Sequence, residues 1–246
     1  MRLARAAGTA ALAFFLLGAA AAAAPQPDPA VWDAILNARA RSGGFDYREA
    51  TGQDRKRLAA YLSNLGDADP ASMAPEERKA FWINAYNAAA VALVLDRYPV
   101  ASIRDVDGAF DRIRRRLGGV MRTLDDVENE LRKTGDARIH FAIVCASRSC
   151  PPLRPRAYVA AGLSETLDMQ GRAFVADRSK NVVDRTRGRV ALSKIFEWDR
   201  AEFEREGGTL RRFVARFVAD PTTAKWLETY PEPPEFLEYD WSLNQP

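Results

Sequence analysis

The sequence predicts an α+β fold, a mostly helical single domain with a small β-sheet. Three observations carry that expectation. Apolar residues recur at helical spacing over most of the chain. The run FWINAYNAAAVALVLDRY, residues 81–98, is apolar almost all round and so belongs inside the protein. Only two stretches, residues 138–145 and 189–192, have the length and composition of buried strands.

In chain order, residues 25–29 form a proline-rich lead-in, after which Val31, Ile35 and Leu36 fall at helical spacing around Trp32 until Gly43-Gly44 ends the pattern. A short extended piece, 45–47, precedes a second amphipathic helix from about Asp54 to Leu65, closed by Gly66. Pro75 opens the central helix at the position that tolerates proline, and Glu76 and Glu77 complement the positive end of its dipole. Between 102 and 119 the pattern is mixed and ends in a Gly118-Gly119 turn. Arg112, Arg114, Arg115 and Arg116, preceded by Asp105, Asp107 and Asp111, read as a solvated helix face. Thr123 and Asp126 have capping-box spacing and start a helix to about Lys133, supported by Glu128 and Arg132 four apart. The buried strand 138–145 follows. Further helices are expected over 164–175, from Ser193 through Phe203, from Thr209 through Val218 and around Trp226, before the extended piece FLEYDWSLN at 236–244.

Arg2 and Arg5 precede an apolar run that passes into an alanine tract ending at Ala24, the order of a secretory signal peptide over residues 1–24. The expectation is export to a periplasm or beyond, with 25–44 as a lead-in plus helix and 45–246 as the main domain. Without Arg2 and Arg5 the 36 basic residues become 34 against 33 acids, a net charge of +1, which gives no general attraction to nucleic acid. No later run is long and apolar enough for a transmembrane anchor.

The stretch IHFAIVCASRSCPPL, 139–153, holds the only histidine and the only two cysteines, His140, Cys145 and Cys150. A thiol hydrolase needs its sulfur beside a base. In a regular strand His140 and Cys145 point to opposite faces roughly 16 Å apart, at about 3.3 Å per residue, so only Cys150, carried back by its loop, could meet the imidazole. Two cysteines in an oxidising compartment also fit one disulfide, Cys145 to Cys150, closing a short and reducible loop. A Cys, Cys, His set could ligate zinc, yet it is not a C-x-x-C pair and lacks the usual second ligand couple, so no metal or cofactor is expected. Asn84, Asn87, Glu128 and His140, with Arg148, are polar groups in otherwise apolar elements and point to one buried polar site.

Six blocks resemble the DUF547 family: FWINAYNA (81–88), SIRD (102–105), TLDDVE (123–128), RIHFAIVCASRSCPPL (138–153), LSKIFEWDRAEF (192–203) and YDWSLN (239–244). The resemblance places family positions on Trp82, Asn84, Tyr86, Asn87, Glu128, His140, Cys145, Cys150, Pro151, Asp240 and Trp241, and it implies an unassigned function. The family often carries Glu-His where this chain has Glu128-Asn129. Two classes of function are expected to compete. One is a thiol-dependent, hydrolase-like enzyme with Cys150 or Cys145 as nucleophile, His140 as base and Asn84 or Glu128 orienting it. The other is a non-enzymatic module that binds a small molecule or peptide through Tyr86, Asn87 and Arg148, with the cysteines bridged.

Overall fold

The computed structural model describes residues 27–246, and the expected signal peptide lies outside them. The fold is α+β and mostly helical. Helix α1 (Pro29–Arg39) starts at Asp28, whose carboxylate caps Ala30, and runs into a two-residue hairpin of β1 (Ala40–Arg41) and β2 (Gly44–Phe45). Helix α2 (Gly52–Asp67) opens with a capping box between Thr51 and Asp54. Trp32 of α1 stacks on Tyr61 of α2, which draws α1 into the main core.

Helix α3 (Pro75–Leu95) is the axis of the molecule: every residue from Lys79 to Leu95 is buried. It packs between α2 and α4 (Leu124–Arg132), the helix that begins at the expected Thr123–Asp126 capping box. Before α4, β3 (Arg115–Leu117) and β4 (Val120–Arg122) form an antiparallel hairpin. Gly118 and Gly119 both have positive φ, 59° and 83°, as its two-residue turn requires. The basic cluster is therefore partly a strand and not a helix face. Its arginines pair outward, Arg112 with Asp107, Arg114 with Asp126, Arg115 with Asp96 and Arg116 with Asp67.

The expected strand 138–145 is not formed. Residues Ala137–Phe141 make a 3₁₀ helix capped by Asp136, which accepts from the Arg138 N–H, and an irregular segment follows to the cysteines. The cause lies on α3. Asn87 donates to the carbonyl of Ala142 at 2.9 Å and accepts from the N–H of Val144 at 2.8 Å, so a side-chain amide satisfies the backbone that a neighbouring strand would otherwise pair.

Helix α5 (Leu163–Ala176) leads to a three-stranded sheet in which β5 (Val182–Asp184) pairs antiparallel with β6 (Arg189–Leu192), and β6 pairs parallel with β7 (Glu235–Phe236). The helix expected through Phe203 is broken at Asp199 into α6 (Ile195–Trp198) and α7 (Arg200–Gly207). Thr209 caps α8 (Leu210–Ala215) and Asp220 caps α9 (Pro221–Thr229). None of the described helices is long and apolar enough to cross a membrane.

Two apolar clusters fill the interior, one around α3 and one made largely of Phe141, Phe174, Phe196, Phe203, Phe213 and Phe217. The 137–141 helix spans their junction, since Ile139 joins the first and Phe141 the second. The C-terminal strap then ties the parts together: Arg148 N–H donates to Ser242, Asn244 N–H to Ala146, and Phe45 N–H to Asn244.

A Cβ on Gly44 would lie 1.4 Å from the Asn244 carbonyl oxygen, whereas one on Gly52 meets nothing within 4 Å. Gly44→Ala is expected to lower stability by about 3 kcal/mol, in the upper range for overpacking, while Gly52→Ala leaves it unchanged or raises it by about 0.5 kcal/mol. Thermal unfolding of the two variants beside the parent checks this; equal melting temperatures contradict the close approach.

Candidate functional site

The polar residues singled out from the sequence separate into structural clamps and two chemical clusters. Asn84 and Asn87 are clamps. Asn84 donates to the Tyr158 carbonyl at 2.7 Å and accepts from its N–H at 2.9 Å, just as Asn87 holds Ala142 and Val144. Both amides are fully engaged with backbone, which leaves them fixing loops in place. Arg148 is exposed and reaches only the Asp240 carboxylate, at 3.7 Å. Asn129 is exposed on α4.

The first cluster surrounds His140, which is 3% exposed. Its Nε2 lies 3.1 Å from Glu202, and its Nδ1 lies 3.4 Å from Asp199 and 4.0 Å from Glu128. Both ring nitrogens thus face carboxylate oxygens, and Nε2 is in hydrogen-bond contact with Glu202. Arg132 completes the set: Nη2 reaches Glu128 at 2.5 Å and Asp199 at 2.6 Å, while Nη1 pairs with Glu202. The Glu128–Arg132 pair expected along α4 is formed, but as part of a network of three carboxylates, one guanidinium and the imidazole. Burial pushes the Glu128 carboxyl up, and Arg132 and His140 counter it only in part. Burial also acts upward on Glu202, where hydrogen bonding and charge from His140 and Arg132 outweigh it and hold its carboxyl low. His140 also meets the edge of Phe203 at 5.4 Å, so an apolar wall encloses the charges.

Glu128, His140 and Asp199 each offer a ligand atom within 4.8 Å of the others, enough to hold a metal ion. Arg132 already donates to both of those carboxylates, so the position of a cation is taken by a side chain of the protein itself.

The second cluster holds the sulfurs. Cys145 Sγ and Cys150 Sγ are 2.6 Å apart, and both cysteines are free. The two thiols are free, and the bridge expected from the sequence is not shown. Ala146 turns the chain at φ 65°, a left-handed conformation that alanine adopts at a cost, and the Asn244 N–H bound to its carbonyl helps to hold it there. The Cys145 N–H donates to Cys150 Sγ at 3.0 Å. Ser147 Oγ lies 3.2 Å from each sulfur and donates to the Tyr239 hydroxyl at 2.9 Å. That donation leaves the Tyr239 proton for sulfur, 3.3 Å away at Cys150 and 3.5 Å at Cys145.

Burial disfavours a thiolate at Cys150, yet hydrogen bonding with Cys145, Ser147 and Tyr239 overcomes it and brings the group down to about 6. Its partner moves the other way: the hydrogen bond to Cys150, then burial, push the Cys145 thiol well up. The pair therefore shares one proton over a wide range of pH.

Among the described contacts none joins His140 to either sulfur. With no strand at 138–145, pleating does not set His140 and Cys145 on opposite faces, but the contacts still give the imidazole to carboxylates and the sulfurs to Tyr239 and Ser147. Tyr86 stands within electrostatic reach of both clusters, its phenol held well up by burial first and then by Glu128, Cys145 and Cys150. Asp199, Glu202, Ser147 and Tyr239 were not singled out from the sequence. The available signal was faint: Asp199 and Glu202 stand three apart in the LSKIFEWDRAEF block, and Tyr239 opens the YDWSLN block.

Replacing Asn87 by alanine strands the Ala142 carbonyl and Val144 N–H in a buried segment. The expected loss is about 3 kcal/mol, or a fall in Tm of roughly 6 to 12 °C, and thermal unfolding measures it. A change under about 0.5 kcal/mol contradicts the clamp.

The family model described as "Protein of unknown function, DUF547" matches residues 70–175. No curated protein and no solved structure matches. The matched residues carry both clamps, Glu128, Arg132, His140 and both cysteines, whereas Asp199, Glu202 and Tyr239, which complete the two clusters, come from beyond the match. Over residues 70–175, then, the chain is similar to the DUF547 family, whose function is unknown.

Proposed function

We propose that this protein is exported and works through its Cys145/Cys150 pair by thiol–disulfide exchange with an outside disulfide. The observation that carries the reading is the contact of the two sulfurs, 2.6 Å apart, inside a set of donors that favours one thiolate. The thiolate attacks one sulfur of the partner disulfide and expels the other as a thiolate, leaving a mixed disulfide. The second cysteine loses its proton as it attacks its neighbour's sulfur and closes the Cys145–Cys150 bridge, so the partner's two sulfurs leave with two electrons, one proton from that cysteine and one from solvent. With the resolving sulfur already in contact, this last step requires little reorganisation.

Tyr239 keeps its proton, its phenol pushed up by burial and by the two sulfurs, and serves as a hydrogen-bond donor to the thiolate. His140 does not serve as base in this reading, because both of its nitrogens are committed to carboxylates. Hydrolysis by a Cys–His dyad would require the ring to leave three carboxylates. The leader-like residues 1–24 support export, and a compartment with circulating disulfides suits the chemistry. The deep burial of Cys150 favours a second reading, a permanently bridged binding module.

Alkylation separates the readings. As pH rises through about 6 the pair passes from two thiols to a thiol and a thiolate. Iodoacetamide should therefore label the reduced native protein with a half-maximal rate near pH 6, against about 8.5 for the urea-denatured chain. Tyr239→Phe removes one donor to the anion and should raise the native midpoint by roughly one pH unit. A native midpoint equal to the denatured one contradicts the reactive thiolate. A bridge that resists reduction until the chain unfolds supports the structural module instead.

A further inference from the structure

We infer that the cleft beside Trp82 binds a small organic oxyanion, a carboxylate or a phosphate ester with a flat apolar portion. The cleft lies apart from both clusters and has a volume of about 370 Å³, within the range of small-molecule sites. Helix α3 supplies Arg78 and Trp82, four residues apart and so on one face. Strand β4 adds Arg122, and Glu130 and Lys133 come from α4 and its C-cap. Pro70 and the Gly118 turn form the opposite wall, packed so closely that a Cβ on Gly118 would lie 2.7 Å from the Trp82 ring and 2.8 Å from Pro70.

The charges of this cleft are not balanced from within. Glu130 Oε1 lies 3.2 Å from Arg122 Nη1 and 3.0 Å from Lys133 Nζ, so one carboxylate serves two cations. Asp69 is engaged as a helix cap, accepting from the Ala71 N–H at 3.1 Å. The half-buried guanidinium of Arg78 has no hydrogen bond or ion pair among the described residues, and Arg122 Nε is buried without a partner. Donors therefore exceed acceptors. An oxyanion is the group that a guanidinium fork recognises with two parallel hydrogen bonds. Arg122 lies over the Trp82 ring, 5.0 Å from its centroid, which fixes the fork and leaves the apolar wall of Pro70 and Ala71 for the flat part of the ligand.

Calorimetric titration of the full chain with phenyl phosphate, benzoate and neutral benzyl alcohol tests the assignment. At least one of the two anions is expected to bind with submillimolar affinity and benzyl alcohol not to bind. Tighter phenyl phosphate identifies a phosphate ester, and tighter benzoate a carboxylate. Arg78→Ala should weaken the better anion at least tenfold with Tm unchanged, and Lys133→Ala, at a more exposed position, should weaken it less. Failure of both anions to bind, or equal affinity in the parent and both variants, overturns the inference. Neither result touches the thiol pair.

Discussion

The amide of Asn87 is the contact on which the placement of everything else depends. It projects from a helix buried on every side and takes the two backbone groups, Ala142 O and Val144 N, that would otherwise demand a strand beside them. A neutral hydrogen bond contributes about 1 kcal/mol net, but leaving such a group buried without a partner costs more, so the segment has little choice of path. Once held there, the chain delivers His140 to one side of the junction between the two apolar clusters and leads the cysteines to the other. Asn84 repeats the device one turn earlier for Tyr158. Two amides on one helix thus replace a sheet.

The two clusters deal with buried polarity in opposite ways. Around His140, the Arg132 guanidinium and the imidazole meet three carboxylates, and Phe203 closes the wall. Such networks fix geometry more surely than they stabilise, since desolvation offsets most of the attraction. The sulfur cluster has no full counter-charge. It stabilises an anion with hydrogen-bond donors alone, beside the half-exposed Trp198, whose ring lies tilted 4.8 Å from that of Tyr239. Trp198 and Asp199 are adjacent in sequence, one facing each cluster, so the break between α6 and α7 is the joint through which the two are held in register.

Much of the helical framework was legible because its signals are local: a proline at the first turn of α3, a capping box at Thr123, Gly118-Gly119 in a tight hairpin. The segment 138–145 was not, since an apolar run of eight has the same composition whether it pairs as a strand or is clamped by a side chain 55 residues away. The site divides likewise. His140 and the cysteines announce themselves by rarity. Glu202 lies 62 residues from the histidine it binds, and Tyr239 lies 92 from the serine that donates to it, distances at which sequence spacing carries no information. Tertiary contact alone turns an ordinary glutamate and tyrosine into parts of a site.

The central claim is that Cys145 and Cys150 form a reversible pair whose reduced state is favoured by the donors around its thiolate. Equilibrating the folded protein in graded mixtures of reduced and oxidised glutathione, with quenching and mass measurement at each step, tests it directly. A reversible pair gives a single two-electron transition with a midpoint more oxidising than about −300 mV, the region of labile rather than structural disulfides. A pair that stays bridged across the whole series, or that never closes, would contradict it.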